Sequence, residues 1–260
     1  MKKSSCFHAS CEGGQLGFLS LDQFLAEVKA AGGTGAQPSN FMLMRDGQLM
    51  PAGEIEDTFA KHGMVPESIS CHCLNWVHGA AAYATDTGNK VTKQVIPFVP
   101  ASVYKNGATE VEQWALERLF DLMDLASKLK IKILHTFFGP YQGWEVVSGY
   151  PWGFLKGGSE EFMTNYDLIA EGLERFAWKT VTMRERANAL GIYFGHEIHR
   201  NSAAACADDF AALVKACDGD KCVAVGADPS HCDEGEGWEA RYTHPAVAPR
   251  IVIAHVKNFR

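Results

Sequence analysis

No stretch of the 260 residues approaches the roughly 18 consecutive apolar residues of a membrane-spanning helix, so no membrane-embedded segment is expected. Lys2 and Lys3 are followed by SSCFHASCEGG, with no apolar run behind them, so no secretory signal is read. Basic charge is also in short supply, at 24 Lys and Arg against 31 Asp and Glu, a net charge of −7. Binding to a phosphate backbone is driven by Lys and Arg, so a dedicated nucleic-acid surface is not expected. The eight cysteines form no CxxC pair, and the chain is too long for the small secreted class that relies on disulfide frameworks. Free thiols in a reducing cytoplasm are the expectation. No internal repeat, low-complexity tract or linker divides the chain, which reads as one domain over 1–260.

What is present is a sequence 47% hydrophobic, enough for one large core, in which strand-like and helix-like stretches alternate. Ser4 to Ala9 is the first strand, and a second is expected near Gly35 to Met42. Between them Ser20 and Gln23 form a capping box ahead of an apolar helix. Ser68 to Trp76 alternates like a third strand, and residues 77–108 read as an irregular insertion. Thr109 and Glu112 form a second capping box opening an amphipathic helix to about Leu129. Ile131 to Phe138 is the fourth strand. It leads into the aromatic loop GPYQGWEVVSGYPWGF and a long helix from about Asn165 to Leu190, stopped by Gly191. Ile192 to Ile198, Val223 to Asp228 and Ile251 to His255 are the last three strands, with a helix at Ala207 to Ala216. These strands start about 30 residues apart, the length of a βα unit with a right-handed crossover. The fold class predicted is α/β, a TIM (β/α) barrel with seven strands. The sequence stops at Arg260, where an eighth βα unit is expected, so the barrel reads as incomplete at its C-terminal side. An unpaired edge there favours association with another chain, such as a homo-oligomer.

The last three strands end in groups that bind hard or borderline cations. The fifth ends YFGHEIH, giving Glu197 and His199; the sixth ends VGADPSH, giving Asp228 and His231; the seventh ends IAHVKN, giving His255 and Lys257. In a parallel barrel these ends open on one face, where active sites are built. Two carboxylates with one or two imidazoles suit Mn²⁺, Zn²⁺, Co²⁺ or Fe²⁺ better than Ca²⁺. Each residue also has an ordinary reading. Glu197 could pair with a lysine, Asp228 could cap the turn at Pro229 and Ser230, and the histidines could be satisfied core or surface groups. Their joint occurrence on three consecutive strands favours one divalent metal held by Glu197, Asp228, His255 and His231. Lys257 is either a solvated lysine or a group that holds a substrate anion or hydroxyl. His72 and His135, on the third and fourth strands, are either packed histidines or contributors to the same face. Trp76, His78, Trp144, Tyr150 and Trp152 lie in loops read as the rim, where aromatic faces either stack on sugar rings or anchor the loops.

At GHEIH, DPSH and HVKN the sequence resembles the xylose-isomerase-like barrel superfamily. That group includes sugar phosphate isomerases and epimerases, ketose 3-epimerases, inosose dehydratases and endonuclease IV-type AP endonucleases. The resemblance implies that Glu197, Asp228 and His255 are three of the usual four protein ligands of the family metal. It also implies that His231 binds substrate or a further ion. The usual fourth ligand, a Glu on the eighth strand, lies beyond the end of this sequence. The chemistry implied is proton transfer next to a carbonyl of an open-chain sugar through an enediolate, with Glu197, His231 and Lys257 as catalytic residues. His72, His135, Trp144, Trp152 and His199 are then the substrate contacts. A dehydratase or lyase would begin from the same enolate. An endonuclease IV-type enzyme would use His72 and His135 as extra zinc ligands, and a non-catalytic sugar- or partner-binding barrel is the remaining alternative.

Overall fold

The computed structural model describes residues 6–8, 20–87, 98–139, 168–199, 202–232 and 237–255. Its wall is a run of parallel strands. Strand β1 (Cys6–His8) pairs with β2 (Gly35–Gln37), which pairs with β5 (Val65–Pro66). The chain continues from β5 into β6 (Ile69–Ser70), which pairs with β7 (Ile133–Thr136); β8 (Tyr193–Glu197), β9 (Val223–Ala227) and β10 (Ile251–Ala254) follow in order. A parallel bridge between Ser39 and Ser70 joins the two sheets, so β5 and β6 act as one interrupted barrel strand. Counted that way, the described residues supply seven strands of the wall, at the places expected from the sequence. A two-residue hairpin, β3 (Met44–Arg45) and β4 (Gln48–Leu49), stands outside it.

Helices cover the wall because their apolar stripes need burial. Helix α1 (Leu21–Ala30) is opened by the expected capping box: the Ser20 side chain accepts from the Gln23 amide, and it buries Phe24, Leu25 and Val28. Helix α2 (Ala52–His62) buries Ile55 and Phe59 and stops at Gly63, whose φ of 64° is the left-handed conformation glycine takes freely. These side chains join Leu119, Leu122, Leu134, Phe194 and Phe210 in one core.

Three local expectations are corrected. The third strand ends at Ser70, and His72–Thr87 is helix α3, followed by the short α4 (Ala101–Tyr104), where an irregular insertion was expected. Alternation in SISCHCLNW suggested a strand, but the small apolar positions of Val77, Ala80 and Ala81 pack against Val99, Val111 and Ala115 in a second core. Trp76 and His78 are therefore on a helix: Trp76 packs edge-on to Phe98 at 6.4 Å, and His78 is buried. Helix α5 (Ala108–Lys128) starts one residue before Thr109, with Gly107 as its cap and no side-chain cap bond. Glu112 instead accepts from Thr85 at 2.9 Å and pairs with Lys179 at 3.2 Å, tying α3 to α5. The long helix ending at Leu190 is two, α6 (Leu168–Lys179) and α7 (Val181–Leu190). They meet at Thr180, whose backbone leaves helical geometry (φ −97°, ψ 2°) and whose hydroxyl donates to the Phe176 carbonyl at 2.8 Å. Helix α8 (Ala207–Ala216) is as expected, and α9 (Trp238–Thr243) lies between β9 and β10. No described helix is long and apolar enough to cross a membrane.

Candidate functional site

Alternation along a strand decides which residues face the barrel mouth. In β8 His196 turns outward: it is buried beside Phe138 and Phe210, its Nδ1 accepts from the Phe138 amide at 3.0 Å, and burial pushes its pKa down to about 3. Glu197, one residue on, turns inward and is 3% exposed. In β9 the same alternation puts Gly226 inward, and Asp228 follows the strand end at 1% exposed.

The strand ends bring the predicted residues together. Glu197 Oε1 lies 3.2 Å from His231 Nε2, and its Oε2 lies 3.5 Å from His135 Nε2. His231 Nε2 is 3.6 Å from Asp228 Oδ2. The His255 ring lies against His135, with centroids 4.2 Å apart. Among the described residues two groups of possible metal ligands result, His135–Glu197–His255 and Glu197–Asp228–His231, each with its atoms within 4.8 Å of one another, and Glu197 belongs to both. Asp228 caps the turn that follows it with one oxygen and turns the other toward the cluster. Its Oδ1 accepts from the Ser230 amide at 3.0 Å and hydroxyl at 2.6 Å, while its Oδ2 faces His231. Buried carboxylates that share imidazoles are the donor set that a borderline divalent ion takes.

His199 lies beside this set, its ring 4.4 Å from that of His231 and 5.1 Å from Phe137. His135 is fully buried, as a packed histidine would be, and lies inside the cluster. His72 is the first residue of α3, and its side chain is outside the described set. Trp144, Tyr150, Trp152 and Lys257 lie outside the described residues. A separate apolar cavity of about 330 Å³, lined by Phe41, Met44, Trp114 and Leu122 among others, shares no residue with the cluster. The polar chemistry sits at the strand ends, so that cavity is not taken as the site.

Sequence reasoning missed four residues here. Gln37, at the end of β2, has its Oε1 2.8 Å from His255 Nε2. Asn75 donates to Thr136 Oγ1 at 3.2 Å, beneath the site. Arg241 in α9 is completely buried, and its guanidinium donates to the carbonyls of Ile198 (3.1 Å), His231 (3.0 Å) and Ala205 (3.1 Å). It thereby ties the chain beyond Glu197 to the turn that carries His231. Tyr242 accepts from the Asp228 amide at 2.9 Å, and burial pushes its hydroxyl pKa up. An Arg-Tyr pair in a six-residue helix carries no periodic signal that would have marked it.

No curated protein sequence matches the chain. Among solved structures, a xylose isomerase-like TIM barrel protein from Mycobacterium smegmatis in complex with magnesium is 18% identical with a TM-score of 0.52. That match covers 91% of this chain and 66% of the other. A D-psicose 3-epimerase, in the presence of D-fructose, is 14% identical with a TM-score of 0.57, covering 92% and 68%. A probable 3-DHS dehydratase involved in petrobactin synthesis, from Bacillus anthracis, is 14% identical with a TM-score of 0.54, covering 99% and 73%. The chain thus spans only about 66% of the first of these structures. These likenesses show a shared fold. The family profile described as a xylose isomerase-like TIM barrel matches residues 25–260, and with the parallel wall and its inward strand ends this places the chain in the xylose isomerase-like TIM barrel family.

Proposed function

We propose that this chain is a metal-dependent enzyme of the sugar isomerase/epimerase kind, moving a proton at a carbon next to a carbonyl. The observation that supports this most is Glu197, a buried carboxylate whose two oxygens face two different imidazoles at the barrel mouth. Glu197, Asp228 and His255, with His231, are the residues that would hold one divalent ion, of Mn, Zn, Co or Fe. When bound, such an ion supplies Lewis-acid polarisation of a carbonyl oxygen and offsets the negative charge that develops there. Glu197 is the base for the carbon-bound proton, and His231, 3.2 Å away, relays or returns it. Lys257 holds a substrate oxygen. His72, His135, His199, Trp144 and Trp152 complete the substrate contacts around a carbohydrate.

The chain is read as one barrel domain working in a reducing cytoplasm, where the buried Cys217 and Cys222 stay as thiols. A homo-oligomer would cover the edge of β10, where Ile251 is 37% exposed.

Two other outcomes start from the same residues. Expulsion of a hydroxyl after proton removal would make the chain a dehydratase or lyase, as in the Bacillus anthracis neighbour's description. The second ligand group, containing His135, favours a further ion, as a zinc nuclease of the endonuclease IV type would need. The net charge of −7 weighs against a phosphate-backbone substrate.

The test is solvent exchange. The metal-loaded protein is incubated with D-fructose or D-tagatose in deuterium oxide and followed by NMR. Deuterium at the carbon beside the carbonyl, absent with Glu197→Gln, is expected. Loss of water from the substrate selects the dehydratase. Neither exchange nor elimination with any keto-sugar, from a protein that holds its metal, makes it a non-catalytic barrel.

A further inference from the structure

Gln37 is a polar side chain on a three-residue strand otherwise made of Gly35 and Ala36, and it is only 1% exposed. Burying a primary amide is unfavourable unless both of its ends find partners. One end does: Oε1 meets His255 Nε2 at 2.8 Å, a contact between residues on β2 and just past β10. The other does not: Gln37 Nε2 is buried with no hydrogen-bond partner among the described residues.

The first contact has a chemical consequence. An amide oxygen can only accept, so the proton of the neutral His255 ring sits on Nε2 and the lone pair sits on Nδ1. A histidine can give a metal only its unprotonated nitrogen, and the group bonded to the other nitrogen decides which one that is. His255 also lies against His135, which stands 3.5 Å from Glu197, so the orientation of this one ring is coupled to the cluster.

We propose that Gln37 is the positioning residue of the metal centre: it locks His255 in the tautomer that offers Nδ1, and its unpartnered amide N–H donates to an oxygen of whatever occupies the site. This rests on the metal reading above and adds to it a residue outside the ligand set. The orphaned N–H is what favours function over simple packing. A residue kept for stability would not leave a buried donor unpaired, whereas one facing an oxygen-bearing occupant would have its partner supplied on binding.

The experiment is Co²⁺ titration of the metal-free protein, followed by visible absorption and calorimetry, for wild type, Gln37→Met, Gln37→Glu and His255→Ala. Gln37→Met keeps the volume but removes both polar ends. It should weaken Co²⁺ binding by about 10- to 100-fold, as loss of an outer partner of a metal histidine does. Gln37→Glu keeps an acceptor on His255 and so preserves the tautomer but loses the N–H; it should keep the wild-type absorption envelope and bind Co²⁺ more tightly than Gln37→Met. The unloaded Gln37→Met protein should melt within about 2 °C of wild type or above it, since it sheds an unpaired buried donor. Wild-type affinity in Gln37→Met would overturn the proposal while leaving the metal centre standing. So would a Gln37→Glu protein as weak as Gln37→Met, or a fall of more than about 5 °C in both unloaded variants, which marks a packing role. A wild type that takes up no Co²⁺, or a His255→Ala that binds as wild type does, would overturn the metal reading itself and this proposal with it.

Discussion

The ring of His135 occupies the space that a side chain at position 226 would need: a Cβ built on Gly226 would overlap its Cδ2 and Nε2 atoms. The glycine of β9 is therefore part of how β7 delivers an imidazole to the cluster. Gly226→Ala must push His135 away from Glu197. The expected cost is about 1–3 kcal/mol of stability, typical of overpacking, together with weaker metal binding. Urea unfolding and a metal titration on the same variant check both halves. An alanine that leaves both unchanged would show that the imidazole has room elsewhere.

Arg241 is a buried cation spanning three carbonyls. Arg241→Met leaves Ile198, His231 and Ala205 without that donor, and the unfolding free energy should fall by about 3 kcal/mol or more. Arg175, whose side chain is 47% exposed in an i,i+4 pair with Glu171, is the control. Its change to Met should stay within about 0.5 kcal/mol. Denaturant midpoints at constant slope decide the comparison.

Burial pushes His78 down to about 4, whereas the unfolded chain titrates near 6.5. Between those values the unfolded state binds a proton that the folded state refuses. Its contribution to stability is therefore fully present above about pH 6.5 and is lost as the pH falls toward about 4. The total is on the order of 3 kcal/mol. His78→Leu should flatten the pH dependence of stability across that window by about one proton's worth, read from unfolding curves at several pH values. An unchanged slope in the variant would assign the acid sensitivity elsewhere.

The strand count and the four cluster residues Glu197, Asp228, His231 and His255 were legible because strand ends in a parallel barrel share one face, so sequence order alone brings them together. Glycine spacing carries a further signal. Gly195 and Gly226 each stand two residues before a cluster carboxylate, hence on the same inward face, and they clear the interior for Ile253 and His135. The start of α3 was not legible, because alternation over a few residues cannot be told from the apolar side of a short helix turn. The positions of Gln37 and Arg241 were not legible either. Each acts on a residue distant in sequence, His255 in one case and three separate turns in the other, and no local pattern encodes such a contact.

The most direct test of the account is the metal content of the purified protein by mass spectrometry, beside Glu197→Gln and Asp228→Asn. The account predicts about one divalent transition-metal ion per chain in the wild type and its loss in both variants, with circular dichroism unchanged. A folded wild-type protein that holds no such ion after dialysis against each of Mn²⁺, Co²⁺, Fe²⁺ and Zn²⁺ would contradict it.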